Sequence, residues 1–579
     1  MTSTRSGFTK LAAVCIAILL GAVVWELGWP LTRAEHEWSR LIAAVATLGH
    51  LTGILGSYFR KEINRPSLRL LIFQIISCLM IFLLIAREQQ EAGYMRFTEL
   101  SRLVITAGLI AIPTLMSLTR IFEWLVGKQK KGRPLMAPAM QFVASLGVVI
   151  LAGTGLLLLP NSTYPGITLS FTDALFTSTS AVCVTGLNAV DFAHTFTPLG
   201  EMFTLALIQI GGFGIMTFAY FVAMVAGQGF SLRDRVLLTD LLDEDNLGAV
   251  VSFITTIVVS TLFIELCGTV LLYFSWEGKD INLMGEPLWW HSLFHSVSAF
   301  CNAGFSTFPM NLMEPGIRLC YSGQAVIMAL IVCGGLGFGI YKEINSRLAN
   351  RFFSKHRRLH MQWTPYFKLV MISTGILLAG GALAIFAVSS PHAAEPLGEH
   401  LWICLFDSVT ARTAGFNISD YGRYLPAASL IMCGLMMVGG SPGGTAGGMR
   451  TTTCAIAGAE ILRILRGRDH VEFFRRRIDQ RTVARCVITV VVSCAWIGCF
   501  TVLICALEPS MSSLDIFFEN CSAFATVGVS RGITPDLSDP SKYLLIVNML
   551  AGRVGLFAFL IALAGTPTPR HYRYPSVKI

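Results

Sequence analysis

Four short polar segments, each with a central glycine, offer backbone carbonyl oxygens that could bind a dehydrated cation. Their glycines are 118, 111 and 113 residues apart along the chain. Because glycine tolerates positive φ, such a segment can turn its carbonyls toward a common axis. One glycine at a helix end would be ordinary, but four at nearly constant spacing indicate a fourfold internal repeat. The predicted ion-binding residues are Val184, Thr185, Gly186, Asn302, Ala303, Gly304, Thr413, Ala414, Gly415, Thr526, Val527 and Gly528.

Each glycine segment follows a short apolar stretch that bears serine or threonine. These stretches are Phe171–Ser180, Trp289–Phe300, Leu401–Ala411 and Leu514–Phe524. With about 10 residues they are too short to cross a bilayer, which takes about 20, and they are predicted to be half-helices. Non-helical backbone at membrane depth is tolerated where it lines a watery cavity or is buried in protein. If the half-helices point their C-terminal ends at the axis, their dipoles favour a cation there.

Acidic side chains lie at the entrances of the predicted half-helices, and they have two interpretations of equal weight. They are Asp173, Asp407, Asp515 and Glu519. Exposed carboxylates around an entrance would raise the local cation concentration. The alternative is that these residues cap helices or pack at interfaces.

Composition places the chain among membrane proteins that cross the bilayer several times. Of 579 residues, 54% are hydrophobic and 14% are charged, and the mean hydropathy is +0.63. Soluble proteins carry about 25% charged residues. Basic clusters at 128–133, 347–358 and 463–481 alternate with acidic loops at 277–286 and 395–399. The positive-inside rule therefore places the basic loops, and both termini, in the cytoplasm.

Several other classes of protein fit the sequence poorly. The basic clusters are short and separated by spans, which argues against nucleic-acid binding. The 15 cysteines include no C-x-x-C pair, so no zinc site or disulfide framework is indicated. No H-E-x-x-H motif occurs, and no other catalytic constellation is recognised in the spans, which argues against an enzyme. The sequence indicates no cofactor of its own.

The predicted fold is an all-α membrane protein with about twelve full spans. Four N-terminal spans are predicted at Leu11–Gly28, Leu41–Phe59, Leu70–Ile85 and Leu103–Val126. The first helices of the four repeats are Phe142–Leu159, Val250–Trp276, Val370–Val388 and Val483–Leu507. The second helices are Met202–Val225, Gln324–Ile344, Leu425–Ala459 and Tyr543–Ala564. The domains are an N-terminal extension (1–130), four repeats (138–230, 248–348, 364–465 and 480–566) and a cytoplasmic tail (567–579).

One second helix is interrupted by glycine and proline. The interrupting residues are Gly439, Gly440, Ser441, Pro442, Gly443, Gly444, Thr445, Ala446, Gly447 and Gly448. Each glycine costs a helix about 1 kcal/mol and a proline about 3 kcal/mol, so a regular helix is not expected here. The alternative is a seam of small residues for helix packing. We interpret Gly211–Gly214 and Gly334–Gly337 as sites of close helix packing. A dinucleotide-binding glycine loop would follow a β-strand, and neither stretch does.

Two arginines lie at positions where a charge needs a structural explanation. Arg553 falls in the middle of the last span, where a cation costs about 2.5–3.5 kcal/mol and must have partners. Those partners are either the carbonyls of the interrupted helix or the carboxylate of Glu265, which is also within a span. Arg412 precedes the third glycine segment, and we expect it to point behind that segment, because a positive charge on the axis would oppose cation flow.

The combination of motifs resembles the Trk/Ktr/HKT superfamily of potassium transporters, in particular its TrkH/KtrB-like ion-translocating subunits. The resemblance covers Pro138 to Gly565. It is carried by Ser180–Gly186, Ser298–Phe305, Arg412–Asn417, Ser522–Gly528 and the Gly439–Gly448 segment. The first four spans depart from the eight-span Ktr arrangement and from the two-span addition of the Trk branch.

The resemblance implies potassium uptake across the plasma membrane. K⁺ would be the permeant ion, bound at the filter carbonyls, and Gly439–Gly448 with Arg553 would gate the pore. It further implies a homodimer on a cytosolic ring of nucleotide-binding regulatory subunits, for which 463–481 offers a docking surface. The alternatives are a Na⁺ or mixed Na⁺/K⁺ transporter of the same fold and, from other classes, a membrane sensor or membrane enzyme. In the plant branch a serine at the first filter glycine accompanies sodium preference, so Gly186 favours K⁺.

Overall fold

The computed structural model describes residues 7–32, scattered positions from 35 to 52, and residues 138–214, 250–353, 363–389 and 396–564. Helix α1 (Gly7–Gly28) corresponds to the first predicted span. The Asn161 side chain donates a hydrogen bond to the Leu27 carbonyl (3.0 Å), which ties α1 to the rest of the chain. The other three predicted N-terminal spans and the predicted cytoplasmic tail lie wholly or mostly outside the described residues.

From residue 138 onward, a long helix, a short helix and a second helix follow one another four times in the described ranges. The first group is α2 (Pro138–Leu157), α3 (Phe171–Cys183) and α4 (Pro198–Phe213). The second is α5 (Val250–Trp276), α6 (Leu288–Cys301), α7 (Tyr321–Gly335) and α8 (Phe338–Phe353). The third is α9 (Pro365–Val388), α10 (Leu397–Thr410), α11 (Pro426–Met437) and α12 (Thr451–Leu465). The fourth is α13 (Gln480–Leu507), α14 (Ser513–Ala525), α15 (Asp539–Val554) and α16 (Leu556–Ala564).

Each short helix is tied to the long helix before it by one small polar side chain. Ser178 donates to the Ile150 carbonyl (2.7 Å), and Ser296 donates to the Glu265 carbonyl (2.7 Å). The corresponding donors of the third and fourth groups are Ser408, to Leu378 O (2.8 Å), and Asn520, to Ile497 O (2.8 Å). A fully buried phenylalanine lies in the same turn of every short helix, at Phe176, Phe294, Phe406 and Phe518. Three serines and one asparagine of the sequence stretches therefore hold the short helices in place.

The third second helix is interrupted as predicted, but the prediction of unbroken second helices in the other three groups is wrong. Helix α4 ends at Phe213, and Gly214 follows with φ +77°. Helices α7 and α8 meet at a 93° bend, where Gly337 has φ +88°. Helices α15 and α16 are separated by Gly555, with φ +89°. Positive φ cannot continue a right-handed helix, so one glycine is enough to end each helix at this level.

These breaks change the number of continuous spans. Within the described ranges, three helices are long and apolar enough to cross a membrane: Phe253–Trp276 of α5, α9 and α13. The bent pair α7–α8 makes a fourth if it counts as one span. The chain is a mostly helical membrane protein with several apolar spans, as the composition predicted.

One element departs from the all-helical prediction. Strands β1 (Glu472–Phe473) and β2 (Arg476–Arg477) form an antiparallel hairpin between α12 and α13. The hairpin is packed on both helices through a small apolar core that includes Ile456, Val471 and Val483. Hydropathy did not predict it, because two-residue strands carry no detectable periodicity.

Candidate functional site

Each predicted cation-binding segment begins where a short helix is ended by left-handed backbone. Val184, Asn302 and Thr526 cap α3, α6 and α14 with φ of +58°, +60° and +51°. In the third group α10 ends at Thr410, and Thr413 takes the left-handed conformation with φ +72°. All four residues precede the segment glycine by two positions. A β-branched residue in this conformation is a strained outlier that the surrounding structure must enforce.

The four segments lie against one another and close into a ring. A Cβ atom built on Gly304 would lie 2.6 Å from Ala414 O and 2.7 Å from Gly415 Cα, and one on Gly415 would lie 2.6 Å from Val527 O. Likewise a Cβ on Gly186 would meet Ala303 O, and one on Gly528 would meet Thr185 O. Each glycine thus faces a carbonyl of the next segment, and the fourth faces the first. We call residues 184–186, 302–304, 413–415 and 526–528 the glycine ring.

Hydroxyl groups on the short helices fix the glycine ring from behind. The amides of Gly186 and Gly528 donate to Ser180 Oγ and Ser522 Oγ, each at 3.0 Å. In the second and third groups the direction is reversed, because Ser298 donates to Phe305 O (2.8 Å) and Thr410 donates to Phe416 O (2.6 Å). The serines of the quoted motifs therefore orient the backbone of the ring.

In the second and fourth groups, a further hydrogen bond joins the short helix to the serine two residues after the ring glycine. His295 Nε2 lies 2.9 Å from the hydroxyl of Ser306, two residues after Gly304. At the same register of the fourth group, Ser530 donates to Glu519, which also accepts from Thr534 (3.0 Å). In the first group the corresponding atoms, Thr177 Oγ1 and Asn188 Oδ1, are buried and have no hydrogen-bond partner among the described residues. We call these contacts of His295 and Glu519 the outer brace.

The entrance acids are engaged by protein partners, which favours the capping and packing interpretation. Asp173 forms an ion pair with Lys542 (2.8 Å), and Asp515 forms one with Arg531 (2.5 Å). Asp407 is fully buried and accepts hydrogen bonds from Tyr421, Tyr424 and Ser419. Glu519 belongs to the outer brace. The prediction that these acids concentrate cations is therefore not supported, because carboxylates that are paired or buried add little to the field outside.

The Gly439–Gly448 segment crosses between α11 and α12 as irregular backbone. Gly439 N donates to Met449 O (2.8 Å), which closes the base of the segment. Ser441 N donates to Gly335 O (2.9 Å), and Phe338 N donates to Gly443 O (3.0 Å), so the segment pairs with the break between α7 and α8. The Tyr366 hydroxyl donates to Pro442 O (2.9 Å). Its contacts are therefore mostly with the backbone of another group.

The segment also lies directly against the glycine ring. A Cβ on Gly447 would meet the Thr526 hydroxyl, and the Thr445 hydroxyl donates to Phe300 O (3.2 Å), close to the end of α6. Gly448 N donates to Gly552 O (3.3 Å). The segment, which belongs to the third group, thus lies against the second and fourth groups at the ring's edge.

Arg553 donates to two backbone carbonyls, those of Thr445 and Gly211. Of the two partners considered, the interrupted helix is the one observed. The carboxylate of Glu265 instead accepts two hydrogen bonds from Gln209 (3.1 Å each) and one from the Cys301 thiol (3.7 Å). Arg553 therefore joins the Gly439–Gly448 segment to the first group.

Arg412 is buried and donates to Gly439 O (3.3 Å). It thus contacts the first residue of the Gly439–Gly448 segment.

Three glycines outside the ring permit the second helices to approach the short helices. Cβ atoms on Gly211, Gly334 and Gly552 would meet the carbonyls of Val182, Phe300 and Phe524. Each carbonyl belongs to the residue four before a ring glycine. The interpretation of Gly211 and Gly334 as packing glycines agrees with this geometry. The signal that was missed is Gly552-x-x-Gly555, which repeats the same spacing in the fourth group.

Four short helices whose glycine segments close one ring, in a helical membrane protein, define a cation-transport fold. The family of TrkH, described as cation transport protein, matches residues 105–574, and the chain belongs to this family. It is thus a transport protein rather than an enzyme. Our identification of the superfamily from the sequence motifs is confirmed.

Bacterial uptake proteins are among the relatives that match most of the chain. Ktr system potassium uptake protein B of Bacillus subtilis is 34% identical over 446 residues, which cover 75% of this chain and 94% of the relative. Potassium/sodium uptake protein NtpJ of Enterococcus hirae is 32% identical over 464 residues, covering 78% and 98%. The potassium transporter TrkH from Vibrio parahaemolyticus has a similar fold, with a TM-score of 0.58, 18% identity, and coverage of 85% of this chain and 97% of that structure.

Proposed function

We propose that the protein takes up K⁺ through a pore built from four helix–loop–helix repeats, with the glycine ring as its selectivity filter. The observation that carries this proposal is the ring closure, in which each glycine faces a carbonyl of the next segment. Backbone carbonyls arranged around one axis can replace the hydration shell of an alkali cation. The ring residues are buried and strained in the conformation that this task needs.

In this proposal the Gly439–Gly448 segment and Arg553 form the gate. Irregular backbone at membrane depth is tolerated where it lines a cavity. The segment lies against the ring at Thr526 and is held from two sides by Arg553 and Tyr366. Releasing these contacts would move the segment away from the ring and open the path.

Partners and location follow from the family resemblance. The relative from Bacillus subtilis is named as part of a Ktr system, which supports a transporter that works with further subunits. We propose a homodimer in the plasma membrane, with both termini in the cytoplasm, on a ring of nucleotide-binding regulatory subunits. The described residues contain no nucleotide-binding fold of their own.

A mixed Na⁺/K⁺ transporter is the second candidate, supported by the similarity to the relative named potassium/sodium uptake protein. Growth rescue of a bacterium deficient in potassium uptake, at low K⁺ and with or without added Na⁺, tests both candidates. Rescue at low K⁺ without Na⁺ sensitivity supports K⁺ uptake, and rescue with Na⁺ toxicity supports the mixed transporter. The matched inactive control is Gly304→Asp, which places a carboxylate in the ring. Rescue by that variant would contradict the filter assignment.

A further inference from the structure

The hairpin between α12 and α13 presents an unusually dense set of unpaired basic groups. Seven exposed arginines lie between residues 466 and 485, against the three acids Asp469, Glu472 and Asp479. They are Arg466, Arg468, Arg475, Arg476, Arg477, Arg481 and Arg485. None of the seven forms an ion pair with a described residue, whereas the neighbouring Arg463 is paired with Glu460 (2.7 Å). We call these seven arginines the hairpin basic surface.

The position of this surface is fixed by the helices on either side. Helix α12 ends at Leu465 and α13, an apolar span, begins at Gln480. Each strand of the hairpin has two residues, which reach about 7 Å at 3.3 Å per residue. The arginines therefore stay within about one Debye length, 8–10 Å, of the membrane surface. Positive-inside topology places that surface in the cytoplasm.

The hairpin also combines its charges with exposed apolar groups. The last turns of α12 expose Ile461, Ile464 and Leu465, at 60%, 62% and 76%. Phe474 at the hairpin tip is 41% exposed, beside Arg475. Basic residues adjoining aromatic and aliphatic side chains are typical of segments that bind in the membrane interface. A soluble acidic partner would match the charges but would leave the apolar helix end without a complement.

The tip is held in a strained conformation by a packed base. Phe474 and Arg475 have φ of +50° and +65°, which L-residues rarely adopt. Ile478 N donates to Val471 O (3.0 Å), and Val471 is 3% exposed in the core shared with α12 and α13. The base thus holds the arginines together, which reduces the entropy lost when they bind a ligand.

We propose that the hairpin basic surface binds the headgroups of anionic phospholipids in the inner leaflet. The guanidinium fork matches phosphate oxygens with two parallel hydrogen bonds, which an ammonium cannot do. Clusters of four to eight basic residues next to the inner end of a span are the known pattern for binding anionic lipids. Sequence reasoning had assigned this stretch to a soluble partner, and the exposed apolar helix end favours the membrane instead.

The test uses the full-length protein in vesicles of phosphatidylcholine alone or of equal parts phosphatidylcholine and phosphatidylglycerol. The variant is Arg475→Gln/Arg476→Gln/Arg477→Gln, and the charge-keeping control is the corresponding triple lysine change. Arg318→Gln/Arg423→Gln on the outer side is the second control. The measurements are the midpoint of thermal unfolding and the number of phosphatidylglycerol molecules retained in native mass spectrometry.

We expect phosphatidylglycerol to raise the midpoint of the parent and of the outer-side control. The triple lysine variant should retain a reduced shift, and the triple glutamine variant should lose it, with about tenfold weaker lipid retention. An unchanged lipid response in the triple glutamine variant would overturn the proposal. So would an equal response of the parent to both vesicle types. Lipid retention that stays intact in the triple glutamine variant would leave docking of a soluble protein as the role of the surface.

Discussion

The glycine ring and the Gly439–Gly448 segment are both buried glycine-rich backbone, yet they are held in different ways. Each part of the ring is fixed by a hydroxyl of its own short helix, as Gly186 is by Ser180. The Gly439–Gly448 segment is fixed mainly by residues of the other groups, among them Arg553, Phe338 and Gly335. Local contacts survive a relative movement of the groups, whereas contacts between groups do not.

This difference divides the site into a preorganised part and a displaceable part. A filter must keep its carbonyls in place while ions pass, because misplaced carbonyls lose the match to the ion's hydration shell. A gate needs two arrangements that differ by only a few kcal/mol. Changes in the ring should therefore alter selectivity, and changes in the Gly439–Gly448 segment should alter the rate of flux.

The largest effect is expected from shortening the Gly439–Gly448 segment. Deletion of Gly443–Ala446 removes the carbonyls that contact Phe338 and Arg553 but leaves the base, where Gly439 N meets Met449 O. Basal K⁺ flux in reconstituted vesicles should rise by about tenfold or more, which corresponds to about 1.4 kcal/mol. Tyr366→Phe, which removes one hydrogen bond to Pro442, should produce a smaller rise. A deletion variant that folds normally but has parental or lower flux would make the segment a packing element.

Gly186→Ser should change selectivity rather than rate. A side chain at this position would press on the Ala303 carbonyl, at a φ of +91°. The preference for K⁺ over Na⁺ should fall by about tenfold, with strain of about 1–2 kcal/mol in the fold. Gly166→Ser is the matched control, since Gly166 has φ +89° and nothing within 4 Å. The measurement is the ratio of K⁺ to Na⁺ flux in reconstituted vesicles. Equal ratios in the variant and the parent would show that Gly186 is not part of the filter.

The glycine ring and the interruption of the third second helix could be predicted from the sequence, but the breaks in the other three second helices could not. The ring glycines and the short helices follow from a spacing that recurs four times. The breaks at Gly214, Gly337 and Gly555 were missed, because single glycines in an apolar helix cost only about 1 kcal/mol each and are often accommodated by packing. Their positive φ depends on neighbouring helices, which hydropathy does not describe.

The outer brace was missed for a related reason. His295 lies in an apolar stretch where a lone histidine is ordinary, and Glu519 was taken as an entrance acid. The clue lies in register: both side chains precede a ring glycine by nine residues, and serine follows that glycine by two. The sequence left two partners open for Arg553, because either backbone carbonyls or the Glu265 carboxylate could accept hydrogen bonds from its guanidinium group. The structure shows that the carbonyl of Thr445 is the partner.

Arg553→Gln should have a moderate effect on flux. The change replaces two charge-assisted hydrogen bonds, to Thr445 O and Gly211 O, with weaker ones. Basal flux should rise severalfold, and the free energy of unfolding should fall by about 1.5–3 kcal/mol. Glu265→Gln is the control, because Glu265 accepts hydrogen bonds from Gln209 and Cys301 rather than from Arg553. This substitution should leave flux unchanged. Flux and thermal unfolding are measured on the same purified samples, and normal flux in a stable Arg553 variant would exclude it from the gate.

The smallest effect is expected at the outer brace, and it tests whether the ring is held locally. Ser530→Ala removes the hydroxyl that donates to Glu519, and Ser306→Ala removes the partner of His295. Each change also removes the acceptor of a loop amide, Gly532 N for Ser530 and Phe308 N for Ser306. At about 1 kcal/mol for each hydrogen bond, each change should lower the K⁺/Na⁺ flux ratio at least about two- to fivefold. Asn188→Ala is the matched control at the same register, because Asn188 Oδ1 has no hydrogen-bond partner among the described residues. Equal losses of selectivity in all three variants would mean that the loops after the ring act by packing alone. A loss confined to Ser306 and Ser530 would show that two of the four segments are held more rigidly than the first.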